Sequence, residues 1–335
     1  MKALLLREIG VRPAIGEVAK PVPGDGEVVV RLVAAALNHR ELWIAKGQYP
    51  GMVLPATLGA DGAGIITATG GGVDPARIGE QVILYPGLDW GDDPRFPAPA
   101  FGLLGMPGPG TVAEYISVPA GNAVAKPDHL DFWQAAALPL AGVTAWRGLV
   151  AKAALQPGER LLICGAGGGV AAQALVFAVA MGADVWVTSG SDKTIAWAQT
   201  QGAAGGVNYR AEGWGKALRR QAGAIDVVFD GAPAGGFKDY SRALAMGARI
   251  ILYGSTGGPS VPLSAPDLFL KNWVVKGTNV GNSGEFAAML DFTSRHGLVP
   301  EIEKRFPFAR AVEALEHLDT SHGRGKVVID IAAGA

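Results

Sequence analysis

The densest chemical signal in the chain is Leu161-Leu162-Ile163-Cys164-Gly165-Ala166-Gly167-Gly168-Gly169-Val170-Ala171. An apolar, strand-like run ends in a glycine cluster, and Ala172, Leu175, Val176 and Val179 then repeat at helical spacing until Gly182. A strand that turns sharply into a helix leaves backbone N–H groups unpaired at the helix start, and small residues let a diphosphate approach them. The segment therefore predicts a dinucleotide loop contacted through Gly165, Ala166, Gly167, Gly168, Gly169 and Val170; a flexible turn is the plain alternative. Ala171 stands where such a fingerprint usually places its last glycine, and it is small enough to serve.

Asp184 to Thr188 reads as the next strand and runs into Ser189-Gly190-Ser191-Asp192-Lys193. An enzyme that uses NAD carries an acid here to hold the ribose 2′-hydroxyl, whereas this chain has Ser189 and Gly190. A 2′-phosphate wants hydroxyls and a cation without a nearby carboxylate. Ser189, Ser191 and Lys193 supply them, with Tyr209 or Arg210 from the next strand end, while Asp192 reads as a helix cap. Capping and solvation would also account for Ser191 and Lys193. The expected cofactor is NADPH rather than NADH.

Around the loop the chain alternates strand and helix. Strands are expected at 160–164, 184–188, 207–209, 225–230, 249–253 and 273–277, with helices near 192–202, 214–221, 236–245 and 285–296. Such alternation needs crossover helices, hence an α/β fold with a doubly wound parallel sheet. Before about Lys126 the texture differs: 27–37, 63–69, 82–84 and 111–118 read as short β-segments punctuated by Gly and Pro, and 85–110 as a long proline-rich loop. The closing segment, a short helix near 309–318 and a strand at 326–331, could extend the parallel sheet or return to the first part.

Bulk properties narrow the function classes. At 335 residues with 49% hydrophobic and 18% charged residues, the chain is globular and long enough for about two domains. A net charge of -1 without basic blocks argues against nucleic acid. No apolar stretch approaches the roughly 20 residues of a membrane span. Cys164, the single cysteine, has no partner for an intramolecular disulfide, and Met1 to Glu8 is too short and too charged for a signal sequence. A cytoplasmic setting is expected.

These motifs, together with Leu37-Asn38-His39-Arg40-Glu41-Leu42-Trp43-Ile44, Gly47-Gln48-Tyr49-Pro50, Leu58-Gly59-Ala60-Asp61-Gly62-Ala63-Gly64, Ala136-Ala137-Leu138-Pro139-Leu140-Ala141-Gly142-Val143-Thr144-Ala145-Trp146, Gly254-Ser255-Thr256 and Gly325-Lys326-Val327-Val328-Ile329, resemble the medium-chain dehydrogenases. The likeness spans essentially the whole chain and is to the zinc-free quinone oxidoreductase, or zeta-crystallin-like, branch. It implies a GroES-like β-rich catalytic domain, 1–122 and 298–335, with a Rossmann domain, 123–297, inserted. It also implies a homodimer joined at the Rossmann sheet edge near Trp273 to Val280.

Zinc-dependent relatives place ligands at the positions matching Asn38, Ala60 and Ala141, and a four-cysteine zinc in the lobe matching 85–110. None of those residue types is present here, so no metal is expected. Asp89, Asp92 and Asp93 read as solvated loop acids. With hydrogen-bond donors left to act on a carbonyl, the resemblance puts Asn38 forward as carbonyl orienter and Tyr49 as donor or substrate wall. A turn-forming Asn and a packed Tyr are the plain alternatives. Arg40 is a third donor, with a structural salt bridge as its alternative. Thr144 is expected to approach the cofactor, and Gly254 and Asn279 to lie beside the nicotinamide. His39 could relay protons or be structural, and no role falls to the histidines at 129, 296, 317 and 322. Cys164 reads as a structural thiol. The expected activity is NADPH-dependent hydride transfer to quinones or α,β-unsaturated carbonyls. The alternatives are a zinc-free alcohol/aldehyde oxidoreductase and a non-catalytic, crystallin-like or sensor protein that binds NADPH.

Overall fold

Glu27–Leu37 is the strand around which the first unit is assembled. Rich in Val and Ala, it pairs antiparallel with Asp61–Thr69, Tyr115–Pro119 and Lys326–Asp330. Ile302–Pro307 then adds in parallel to Lys326–Asp330. The C-terminal strand thus returns to the first part of the chain, as the resemblance implies. The helix Phe132–Ala137 packs against this strand, whose Ala34, Ala35 and Ala36 are fully buried. Val28, Val30, Leu32, Ile66 and Ile329 belong to the core beneath it. Lys2–Leu6 pairs with Ala14–Glu17 and Ala56–Thr57 in a smaller sheet.

The structure is a computed structural model that describes residues 1–321 and 323–334. Among these residues the second unit carries a six-stranded parallel sheet. Its spatial order is Gly205–Asn208, Asp184–Ser189, Arg160–Ile163, Ile225–Asp230, Leu244–Leu252, Val274–Gly277. Leu161, Leu162, Ile163, Val227, Val228 and Phe229 are fully buried, the mark of strands covered on both faces. The chain order reverses direction between the strand Arg160–Ile163 and the strand Ile225–Asp230. In open parallel sheets a ligand site forms beyond the carboxyl ends of the strands at that reversal. The Rossmann sheet and the β-rich domain are both present.

Several boundaries differ from those expected. The first compact unit comprises Met1–Ala141 and the chain from Asn282 onward, save Gly323–Gly325; the second comprises Gly142–Gly281 with Gly323–Gly325. The helix Ser283–His296 therefore belongs with the first unit rather than the second, and its Phe286 meets Tyr85 with ring centroids 5.3 Å apart. The apolar run after Lys126 holds two helices, Phe132–Ala137 and Pro139–Arg147, the second continuing into a π-turn at Gly148–Lys152. Pro139 starts the second helix, where its missing N–H costs nothing. The proline-rich loop is not entirely irregular: Gly87–Leu88 pairs with Gly102–Leu103. Of its acids, Asp93 lies 2.8 Å from Arg95, which holds its carboxyl down at about 2. The strand expected at 249–253 begins earlier, as Leu244–Leu252, because the preceding helix stops at Tyr240. No helix among the described residues is long and apolar enough to cross a membrane.

Candidate active site and cofactor pocket

In the first unit the helix His39–Ala45 begins at Asn38, which sits in an extended conformation as N-cap. The backbone N–H of Asn38 donates to Glu41 Oε2 at 2.7 Å, and the side-chain amide turns away into a buried charge cluster. Its Nδ2 donates to Asp61 Oδ2 at 2.8 Å, and its Oδ1 accepts from Lys326 Nζ. Lys326 also donates to Asp61 Oδ2 at 3.0 Å, while Asp61 Oδ1 accepts from the backbone N–H of Leu140 at 2.8 Å. Lys326 is 3% exposed and Asp61 is 0% exposed, so each ion depends on the other for its solvation. With the charge above it and the carboxylate beside it, the Asn38 amide has one assignment of oxygen and nitrogen that satisfies both neighbours.

A second buried pair adjoins the first. Arg40 Nη1 donates to Glu41 Oε1 at 3.0 Å and to the Leu104 carbonyl at 2.8 Å. Its Nε approaches the Tyr49 hydroxyl at 3.4 Å, and the guanidinium lies 4.9 Å from the Tyr49 ring centroid. Arg40 Nη2 has no partner among the described residues. Burial pushes the Glu41 carboxyl upward against the pull of Arg40. Burial disfavours the Arg40 charge too, but Glu41 and Tyr49 more than offset it and hold its pKa above the usual value. The structural salt bridge weighed for Arg40 is therefore present, and it leaves the Nη2 group uncommitted. His39 is exposed.

In the second unit the glycine loop divides its N–H groups between inward and outward use. Gly165 donates to Thr188 Oγ1 at 3.2 Å, Ala166 to the Thr188 carbonyl at 2.9 Å, and Gly168 to the Gly165 carbonyl at 3.0 Å. Those three donors are spent on shaping the turn. Gly168 caps the helix Gly169–Ala180, and the N–H groups of Gly169, Val170 and Ala171 have no acceptor among the described residues. Positive φ at Gly165 (70°) makes the turn possible.

The neighbouring strand end gathers Ser189, Ser191, Tyr209 and Arg210. Ser189 Oγ accepts from the Ser191 N–H at 3.2 Å. A Cβ on Gly190 would fall 2.8 Å from the Tyr209 hydroxyl and 2.9 Å from Arg210 Nε, so glycine is what lets both groups close on the strand end. The helix cap is Ser191, which accepts from Thr194, rather than Asp192. Asp192 instead accepts from Asn208 Nδ2 at 2.8 Å. Lys193 is exposed on the first turn of that helix. Gly254 and Asn279 follow the strands Leu244–Leu252 and Val274–Gly277, at the same carboxyl edge as the glycine loop, and both are exposed. Thr144 lies buried on the helix Pro139–Arg147.

Beneath the loop lies a second buried polar group that sequence reading did not assemble. Burial raises the Cys164 thiol well above its ordinary value, with nearby Asp230 adding to the effect, which fits a structural thiol. Burial also raises Asp230, against its hydrogen bond from the Ala232 N–H at 2.8 Å. Lys326 was missed as well, although Gly325-Lys326 stands out in the sequence, because its partner lies far back along the chain. His322 lies outside the described residues.

The alcohol dehydrogenase GroES-like domain matches residues 24–128, and the zinc-binding dehydrogenase domain matches residues 169–295. A "Zinc-type alcohol dehydrogenase-like protein YogA" of Leptosphaeria maculans is 38% identical over 94% of this chain and 93% of its own. The chain belongs to the medium-chain dehydrogenase/reductase superfamily. A human quinone oxidoreductase is 29% identical over 97% of this chain and 95% of its own. A crystal structure of an NAD-dependent alcohol dehydrogenase superposes with a TM-score of 0.94 at 34% identity, covering 99% of this chain and 100% of that one. This medium-chain dehydrogenase/reductase is an oxidoreductase with a nicotinamide dinucleotide-binding fold.

Proposed function

We propose that the protein is an NADPH-dependent reductase of quinones and α,β-unsaturated carbonyls that works without zinc. The observation that carries the reading is the Asn38–Asp61–Lys326 cluster. Zinc takes thiolate, imidazole or carboxylate in a tetrahedral set. Here the one carboxylate already accepts from Leu140, Asn38 and Lys326, and a divalent ion beside Asp61 would meet the Lys326 ammonium at contact distance. The residues do not fit that metal. They do fit a dinucleotide phosphate: N–H groups at Gly169, Val170 and Ala171 without an acceptor among the described residues, and hydroxyls and cations at Ser189, Ser191, Lys193, Tyr209 and Arg210, with the Asp192 carboxylate engaged by Asn208. That second set favours NADPH, with Gly165, Ala166, Gly167 and Gly168 shaping the loop.

When bound, NADPH supplies a hydride from C4 of its nicotinamide, near which Thr144, Gly254 and Asn279 are assigned. The chain must orient the acceptor and stabilise the charge developing on its oxygen. Asn38 has one Nδ2–H left after Asp61, and the Lys326 charge on its Oδ1 polarises the amide toward donation. Tyr49 accepts from Arg40, which leaves its own proton to give to the reduced substrate. Arg40 Nη2 adds a cationic donor next to it. The subunit is assigned to a homodimer through the exposed edge strand Val274–Gly277, flanked by Met246, Phe269 and Leu270 at 69%, 67% and 65% exposure. A cytoplasmic setting agrees with a lone thiol.

A second reading, a zinc-free alcohol/aldehyde oxidoreductase using NAD, draws on the alcohol dehydrogenases among the similar proteins. Steady-state rates with NADPH and NADH against a quinone, an enone and an aldehyde, on protein assayed for bound zinc, separate the two. Turnover of enone or quinone with NADPH by zinc-free protein is the expected result. Turnover confined to aldehydes and alcohols, or dependent on stoichiometric zinc, would replace the first reading with the second. Tight NADPH binding with no turnover across the panel would leave a non-catalytic binding protein.

A further inference from the structure

The segment Gly323–Gly325 belongs to the second unit although the residues on either side of it belong to the first. It is held against the dinucleotide loop. Gly325 N–H donates to the Gly167 carbonyl at 3.0 Å, and a Cβ on Gly167 would fall 2.9 Å from the Gly323 carbonyl oxygen and 3.6 Å from Thr194 Cγ2. Gly167 is thus pinned between the helix Asp192–Thr200 and this returning strand of chain. Arg324, at its centre, places its guanidinium 5.6 Å from the ring centroid of Trp197. Trp197 is four residues after Lys193 on one helix, so the two share a face and Arg324 lies over the face that presents Lys193. The carboxylate that could neutralise these cations, Asp192, is engaged by Asn208. Arg324 is only half-buried and makes no ion pair among the described residues.

We propose that Arg324 is a cofactor-binding residue whose guanidinium, together with Lys193, holds the adenosine 2′-phosphate of NADPH. The proposal rests on the NADPH reading above and adds to it a wall of the pocket contributed from the far end of the chain. A guanidinium braced on an indole face keeps its edge N–H groups free for two phosphate oxygens, so much of its ordering is done before the ligand arrives.

Calorimetric titration of the full chain with NADPH, NADH, 2′,5′-ADP and 5′-AMP tests this without relying on turnover. The expected result is that Arg324→Ala weakens NADPH and 2′,5′-ADP about tenfold while NADH and 5′-AMP change less than about twofold, and that Arg324→Lys recovers part of the loss. An equal loss for ligands with and without the 2′-phosphate, or no loss for any, overturns the assignment of Arg324 while leaving the NADPH reading in place. Wild-type protein that holds NADH as tightly as NADPH overturns that reading, and the assignment of Arg324 with it.

Discussion

At the Asn38 end of the first unit four charged side chains are buried and answer one another: Lys326 with Asp61, and Arg40 with Glu41. At the Ser189 end of the second unit the cations Lys193 and Arg210 stand exposed, and the adjoining Asp192 is held by an amide. Buried pairs are expensive to desolvate and earn little net stability, but breaking one leaves an unsolvated ion. They suit a site that must hold one geometry before anything binds. Exposed, uncommitted donors cost almost nothing in the free protein and release their energy to a ligand. On the proposed reading, the chain fixes direction with satisfied groups and takes affinity from unsatisfied ones. Each half of that contrast can be broken separately.

The largest effect belongs to the buried half. Lys326→Met removes the cation and leaves Asp61 buried without its partner, which should lower unfolding free energy by about 3–5 kcal/mol. Denaturant titration reads this directly. Adding Asp61→Asn to it should restore part of the loss, since both charges are then gone. A single-variant loss below about 1 kcal/mol would mean the pair is not what the geometry implies. Next comes the exposed half. Gly190→Asp puts a carboxylate where the Tyr209 hydroxyl and Arg210 Nε now close, and both are ends of side chains able to swing outward. NADPH affinity should drop about 100-fold by calorimetry, NADH should bind as well or better, and stability should shift by less than about 1 kcal/mol. Equal losses for the two cofactors would sink the phosphate-pocket assignment.

The contrast also explains what could be read from sequence. Strand, glycine loop, helix and second strand are contiguous in the chain, so the parallel sheet and its glycine turn were legible in the sequence. The first unit is built from distant pieces. Asp61 and Lys326 are 265 positions apart, and Asn38 and Lys326 are 288 apart, so no local pattern announces their meeting. The two helices across 132–147 were not among the expected elements, and Pro139 stands as the first residue of the second. Ser191 took the cap expected of Asp192 because Asn208, on the neighbouring strand, competes for the carboxylate. Periodicity sees neighbours along the chain; it has no access to a competitor from another strand.

Smaller effects probe how far each region depends on single groups. Tyr49→Phe keeps the ring over Arg40 but removes the hydroxyl, and kcat for an enone should fall about tenfold or more with cofactor KM unchanged. A parallel rise in KM would make Tyr49 a binding wall rather than a proton donor.

The smallest effect lies under the dinucleotide loop, where a buried acid has no cationic partner of the kind Asp61 enjoys among the described residues. Burial raises the Asp230 carboxyl above its ordinary value, so the folded protein holds that proton more tightly than the unfolded chain does. Its contribution to stability is therefore fully present below the unfolded value of about 4 and is lost as pH rises through the folded value. Asp230→Asn stays neutral throughout, and its side-chain oxygen can still accept from the Ala232 N–H. The variant should fall level with or below wild type in acid and gain on it as pH rises, levelling off once wild-type Asp230 is ionised. Unfolding free energies measured from pH 4 to pH 8 would show it. Two curves that run parallel across that range would mean that Asp230 is solvated or paired as well as Asp61, and the contrast between the two buried acids would be gone.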